Sequence, residues 1–468
     1  MKKKIFQRML LNAFFIFLTI HNSAFAFSSR SPDPERCWIK MVEDSEAIFP
    51  VPKTGKPNYL QSIIDPVFGT KITRITGDPA ETITAQSGEK IGVWGDVVKH
   101  HYSKDQPWNA GESLIHLPRN IHGFSPDIFL DGQTYQVLFA RRVPGHDNRW
   151  HPRNSALKIY LESNQIGYFN VHNGERKLIR SFPEYRRIEL GPWEGNLSSD
   201  GRMAVFYAQR EDGGHDVFAY DLVADFKYPV KDVGNSTLDW ASISPSGRYV
   251  VIMFTDTDTQ VFDLQMKFIS RFTVNHNHYD MGIDEEGEEV AVGIPKRSTY
   301  GGCIIKHRLR DAAFTRMTSG GYAIHTSFRN TKLPGWSYSS FTSARALYRD
   351  EIVAVKTDGS ETVRRFCHMH NNQTDYLSEA MPVPSQDGKR IIFSSNWGEI
   401  SGRPVGTYVV DARAACSGPR PLRLGRDRRS GQYAFPWPGD DPGGENFPRV
   451  ATQGRAFRRV VHASGFRF

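Results

Sequence analysis

The chain has 468 residues, a formal net charge of +8 and only four cysteines, Cys37, Cys303, Cys367 and Cys416, which excludes a disulfide scaffold and makes a hydrophobic core the source of stability. The excess charge sits at the ends: Lys2, Lys3, Lys4 and Arg8 lie before residue 26 without an acid, and residues 420 to 468 hold ten arginines against four acids. With a near-neutral body the bulk charge says little about partners, and any anion site must be a local arrangement of Arg and His; no nucleic-acid partner is expected.

The chain opens like a secretory signal. A basic front, the apolar run Leu10 to Ile20 and the small-x-small triplet Ala24-Phe25-Ala26 predict cleavage after Ala26 and export to a periplasm or beyond. Phe27 rather than Cys comes next, so no lipid anchor is indicated, and no later apolar run predicts membrane insertion. One or two disulfides are compatible with that compartment, and three complete pairings are open. Residues 27 to 69 read as an extension packed over the outside or one face of the downstream domain.

From residue 70 to 416 the chain repeats. Glu194 to Phe206, Asp239 to Val251 and Glu379 to Phe393 are each a short strand, a turn holding Asp-Gly or Ser-Gly, and an apolar strand, which is a β-hairpin. Weaker copies surround Trp108, His151, Asp280 and Trp336. Taken with Gly195, Trp240 and Glu379, these starting points recur every 40 to 56 residues, the length of a four-stranded blade. The prediction is an all-β, seven-bladed β-propeller of antiparallel blades. Blade seven supplies only Glu379 to Pro384, Lys389 to Ser395 and Thr407 to Asp411, so Lys71 to Thr76 is expected to close the ring from the N-terminal side. Residues 417 to 468 form a basic tail rich in Gly, Pro and Arg, without sustained period.

Chemistry-bearing residues recur ahead of the blades, in segments expected to connect an outermost strand to the next innermost one and so to share a face of the ring. They are Lys99 to Trp108, His146 to His151, Glu184 to Glu189, Asn275 to Asp280, His325 to Arg329 and Cys367 to His370; His122 and Tyr168 fall near connections on that face. Two sites separate. In an extended segment residues two apart point the same way, so His276 with His278, and His368 with His370, can converge. With His325 and Cys303 they suggest a divalent metal held by His278, Cys303, His325, His368 and His370. Zinc fits that set best, with manganese or calcium as alternatives; the plainer reading is that these histidines cap loops.

The second set is His101, His122, Tyr168 and Arg187. It offers a base, an acid and a fixed cation, with neither a serine nucleophile nor a carboxylate pair. That suits β-elimination from a uronic acid: Arg187 neutralises the carboxylate so that the C5 proton becomes acidic, His or Tyr removes it, and the other protonates the leaving O4. The plainer readings are a loop salt bridge for Arg187 and a core position for Tyr168.

The Asp-Gly hairpins resemble TolB-type propeller repeats. His101-Tyr102-Ser103-Lys104-Asp105-Gln106-Pro107-Trp108-Asn109, Tyr376-Leu377-Ser378-Glu379-Ala380-Met381-Pro382 and Ser394-Ser395-Asn396-Trp397-Gly398 are similar to propeller polysaccharide lyases, the ulvan lyases most and the oligogalacturonate lyases more distantly, over roughly residues 65 to 412. The ulvan likeness implies His, Tyr and Arg chemistry at His101, His122, Tyr168 and Arg187 beside a structural metal. The oligogalacturonate likeness implies a His-x-His pair on manganese, as in His368 and His370. The expectation is an exported polysaccharide lyase with an acidic polysaccharide or oligosaccharide as partner. A non-catalytic propeller that binds glycan or protein is the alternative, and a hydrolase ranks third for want of paired carboxylates.

Overall fold

The computed structural model describes residues 38–118, 127–235, 238–255, 258–295 and 300–413. The repeat has a clear physical origin. Gly201, Gly247 and Gly388 adopt left-handed φ values of 77°, 79° and 71°, and each donates its N–H to the serine three residues earlier, Ser198, Ser244 and Ser385. The serine hydroxyl accepts from the first residue of the next strand, as Met203 N to Ser198 Oγ at 2.8 Å shows. Only glycine fits at 388, where a Cβ would stand 2.0 Å from the Tyr338 hydroxyl.

These turns join the two innermost strands of a blade, and the structure has seven blades. Blades two, four, five and six are four-stranded and start from Asp147–Trp150, Trp240–Ile243, His276–Ile283 and Ala323–Ser327. In blade one the strands Leu114–Leu117, Ile128–Asp131 and Val137–Ala140 pair, and the innermost place is reduced to the bridge between Trp108 and Ile115. Blade seven runs Val383–Pro384, Arg390–Ser395, Gly406–Asp411 and then Lys71–Arg74, with Ser62–Ile64 outside it. The ring is thus closed by an N-terminal strand, Lys71 facing Asp411 and Arg74 facing Tyr408. Neighbouring blades bury apolar faces on one another: Val205, Val217 and Ala219 of blade three meet Ala241, Val250 and Ile252 of blade four.

Blade three differs from expectation. Its innermost strand is Arg187–Leu190, ahead of Gly195, and pairs with Met203–Gln209. Blade two dictates this: Asp147 Oδ2 accepts from Leu190 N, while Arg149 donates to the carbonyls of Trp193 and Gly195, turning residues 191 to 195 back over the ring. Four other segments read as connections are strands: His146 to His151, Asn275 to Asp280 and His325 to Arg329 largely belong to innermost strands, and Cys367 and His368 end the outermost strand of blade six.

Residues 38 to 69 clasp the outer edge of blade six. Arg365, fully buried, donates to Glu351 through Nε at 2.6 Å and to the Ala47 carbonyl through Nη1 at 2.6 Å. Arg365 N reaches the Val42 carbonyl, and Thr70 Oγ1 donates to that of Phe366. Cys303 and Cys367 are buried free thiols, while Cys37 and Cys416 lie outside the described residues. Among the described residues no helix is long and apolar enough to cross a membrane.

Candidate functional site

The segment 98 to 108 lies across one mouth of the ring and organises both arrangements found there. It is tied to blade seven by Val98 N to Val405 O, Lys99 Nζ to Glu379 O at 3.1 Å and the His100 imidazole to Met381 O, and to blade six by Gln106 Nε2 to Arg329 O. From it, Tyr102 and Lys104 face the ring axis, and His101 and Asp105 face a cavity beside blades one to three.

On the axis side, His278 and His325 stack with ring centroids 4.4 Å apart, and Tyr102 meets His325 edge-on at 5.2 Å. His325 Nε2 lies 2.7 Å from Glu379 Oε2. Lys104 sits 4.5 Å from the centroid of Trp240 and pairs with Glu194. Burial, then the charges of Lys99 and Lys104, push His325 well below its ordinary range, and burial with His325 and Lys104 pushes His278 down to about 3. Burial and the nearby positive charges thus disfavour the imidazolium form of both rings.

Neutral imidazoles beside a carboxylate suit a metal, and His325 Nδ1 is buried without a hydrogen-bond partner. The ammoniums of Lys99 and Lys104 nevertheless bear on the same pair and repel a second cation. Among the described residues no group of three or more His, Cys, Asp or Glu is arranged to hold a metal ion. The residues present therefore do not fit the expected metal.

The sequence-predicted metal set is dispersed for a geometric reason. His325 is on the innermost strand of blade six and His368 on its outermost, three strand spacings or about 14 Å apart. His368 faces Asp65 of the clasp at 3.4 Å, and His370 bonds Thr54. Cys303 lies ahead of the third strand of blade five, two spacings or about 10 Å out from His278. Nothing is described of the His276 side chain.

The cavity has a volume of about 580 Å³ and is lined by His101, Asp105, His116, Asp127, Arg142, His146, Arg149, Lys158 and Trp193, among others. The His101 side chain, 42 % exposed, lies at its lip with Nδ1 3.3 Å from Asp105 Oδ2. Burial works against the Asp105 charge, but Arg149 and His101 hold its carboxyl well below the usual range. Arg149 is itself committed to Asp147, 2.6 Å away. Arg187 lies over the half-exposed Trp193 ring at 5.1 Å and pairs with Glu189.

Of the four residues expected to do chemistry, His101 lines this cavity and Arg187 borders it through Trp193. His122 lies outside the described residues. Tyr168, on the third strand of blade two, pairs with Ile159 and packs on the apolar cluster that blade two shares with blade three, so its face of the sheet, not loop proximity, decides its position. Five of the cavity residues named above escaped the sequence reading: His116, Asp127, Arg142, Lys158 and Trp193. For Lys158 and His116 the only signal was a charged or polar residue inside an apolar strand, as in Leu157-Lys158-Ile159 and Ile115-His116-Leu117.

No family model and no curated protein sequence matches the chain. Among solved structures it is similar to an oligogalacturonate lyase in complex with manganese, with a TM-score of 0.54 and 14 % identity over 77 % of this chain and 98 % of that one. An oligogalacturonate lyase from Vibrio parahaemolyticus gives 0.52 and 10 %, covering 75 % and 96 %. The likeness is one of fold.

Proposed function

We propose that this chain is a lyase that cleaves a uronic-acid-containing polysaccharide or oligosaccharide by β-elimination in the cavity beside blades one to three. The observation that carries this reading is the His101–Asp105 pair at the lip of a large polar cavity, with Arg187 and Arg142 at its edge. Asp105 accepts from His101 Nδ1 and so leaves Nε2 as the basic nitrogen toward the cavity. Arg187 or Arg142 meets the uronate carboxylate and stabilises the charge that spreads onto it when C5 loses its proton. Trp193 gives a sugar ring an apolar face.

The fold shared with two proteins named as oligogalacturonate lyases supports the reaction class. The substrate is a galacturonan or an ulvan-like polymer. No step is assigned to a metal, because the residues at the mouth do not fit one. The leader-like residues 1 to 26 support action in a periplasm or outside the cell.

Incubation with ulvan, polygalacturonate and glycosaminoglycans should raise the ultraviolet absorbance of an unsaturated uronate for at least one polymer. His101→Ala and Arg187→Ala should each lower kcat by about 10²- to 10⁴-fold with an unchanged melting midpoint. Absence of signal from every uronic-acid polymer overturns the reading; retention of those polymers without cleavage would favour a glycan-binding propeller.

A further inference from the structure

We propose that Lys158 is the proton donor to the leaving oxygen, with its ammonium positioned in the cavity wall by His116 and Asp127; this rests on the elimination reading. Lys158 is the second residue of the strand Leu157–Glu162 and is only 2 % exposed, in a stretch otherwise apolar as far as Leu161. Such burial of a lysine is costly unless its charge is held by partners.

The partners are arranged in sequence. Lys158 Nζ lies 2.9 Å from His116 Nδ1, and His116 Nε2 lies 3.3 Å from Asp127 Oδ1. An ammonium only donates, so Nδ1 is the acceptor and the imidazole proton sits on Nε2, directed at Asp127. Asp127 is fixed in turn by Val143 N, which donates to Oδ2 at 3.2 Å. Burial and the Lys158 charge push His116 down to about 4, so it stays neutral and acts as a holder rather than a competing acid. The Trp150 ring, 4.8 Å from Nζ, supports the cation from another side. Lys158 and His101 both line the cavity, from different elements.

Burial lowers Lys158 to about 8 against the support of Asp105, Asp127 and Asp147, while Arg149 adds to the lowering. An acid of that strength is charged at neutral pH and gives up its proton far more readily than an ordinary lysine. The step balances without any co-reactant. His101 takes the C5 proton, and the C5–H electron pair becomes the C4=C5 double bond. The C4–O4 bond breaks with its electrons on O4, and O4 takes a proton from Lys158 Nζ. Water then reprotonates the amine and accepts the proton held by His101.

The test compares a uronide polymer with a synthetic 4-O-nitrophenyl uronide, whose leaving group needs no acid. Lys158→Met should lower kcat on the polymer by at least 100-fold and on the aryl uronide by less than 5-fold. The alkaline limb of wild-type kcat, expected near pH 8, should vanish in the variant. His116→Phe, which keeps the packing, should show the same selective loss. Equal losses on both substrates, or full activity on the polymer, overturn the proposal. A wild-type protein inert toward both overturns the elimination reading itself. Titration of ε-¹³C-labelled lysine by NMR gives an activity-free check: no lysine titrating near pH 8 that disappears in Lys158→Met also overturns it.

Discussion

Two histidine pairs that look alike in the sequence, His276 with His278 and His368 with His370, end in opposite parts of the fold. The first begins the innermost strand of blade five, where His278 reaches the ring mouth and stacks on His325. The second closes the outermost strand of blade six and is roofed by residues 38 to 69. There, although burial opposes it, Asp65 raises the pKa of His368, and the two side chains, 3.4 Å apart, fasten the clasp. Burial pushes the neighbouring Cys367 thiol far above its ordinary range, which makes it unreactive. A His-x-His spelling thus has no fixed meaning in a propeller. Its radial position decides whether it faces the mouth or serves as a fastening.

That contrast makes the outer cluster a stability element, set against the His101 cavity where the proposed elimination would take place, and substitutions can break it. The largest effect is expected for Arg365→Ala, which leaves Glu351 charged and unpaired in a buried place. It should cost about 3–5 kcal/mol in urea unfolding and open residues 38 to 69 to hydrogen exchange. Asp65→Asn should cost about 1–3 kcal/mol, because one carboxamide oxygen can still accept from Val67 N and Phe68 N, while the NH2 that replaces the other oxygen faces His368 N and leaves it without an acceptor. Thr70→Val, losing one hydrogen bond to Phe366 O, should cost about 1 kcal/mol. All three should leave kcat unchanged, and a kcat loss without a stability loss in Arg365→Ala would reverse the contrast.

The seven-bladed ring was legible because the Ser-x-x-Gly turn recurs in blades three, four and seven at nearly blade-length multiples, and the closing strand could be inferred from the missing fourth strand of blade seven. The hairpin Thr82–Thr84 with Lys90–Val93, on the outside of blade one, was not legible, since it belongs to no repeat. At the site, His101 was readable from its place ahead of blade one. Lys158, His116 and Asp127 were not, because the three come from separate blade segments and meet only through the packing of blade two on blade one. Tyr168 went astray by face: neighbouring levels of a sheet point to opposite sides, and Tyr168 packs toward blade three while Lys158 reaches His116 of blade one.

Closure by Lys71–Arg74 has a consequence for how the molecule forms. The partners of this strand are Gly406–Asp411, near the other end of the described chain, so the last blade is the longest-range pairing in the fold. Loop closure over such a separation is slow relative to hairpin formation, and local blades assemble before it. During synthesis the N-terminal strand emerges first and must wait, unpaired at its edge, until some three hundred residues have been added. The clasp on blade six cannot form until that blade exists, so both N-terminal fastenings are late events in a chain whose hairpins are early ones.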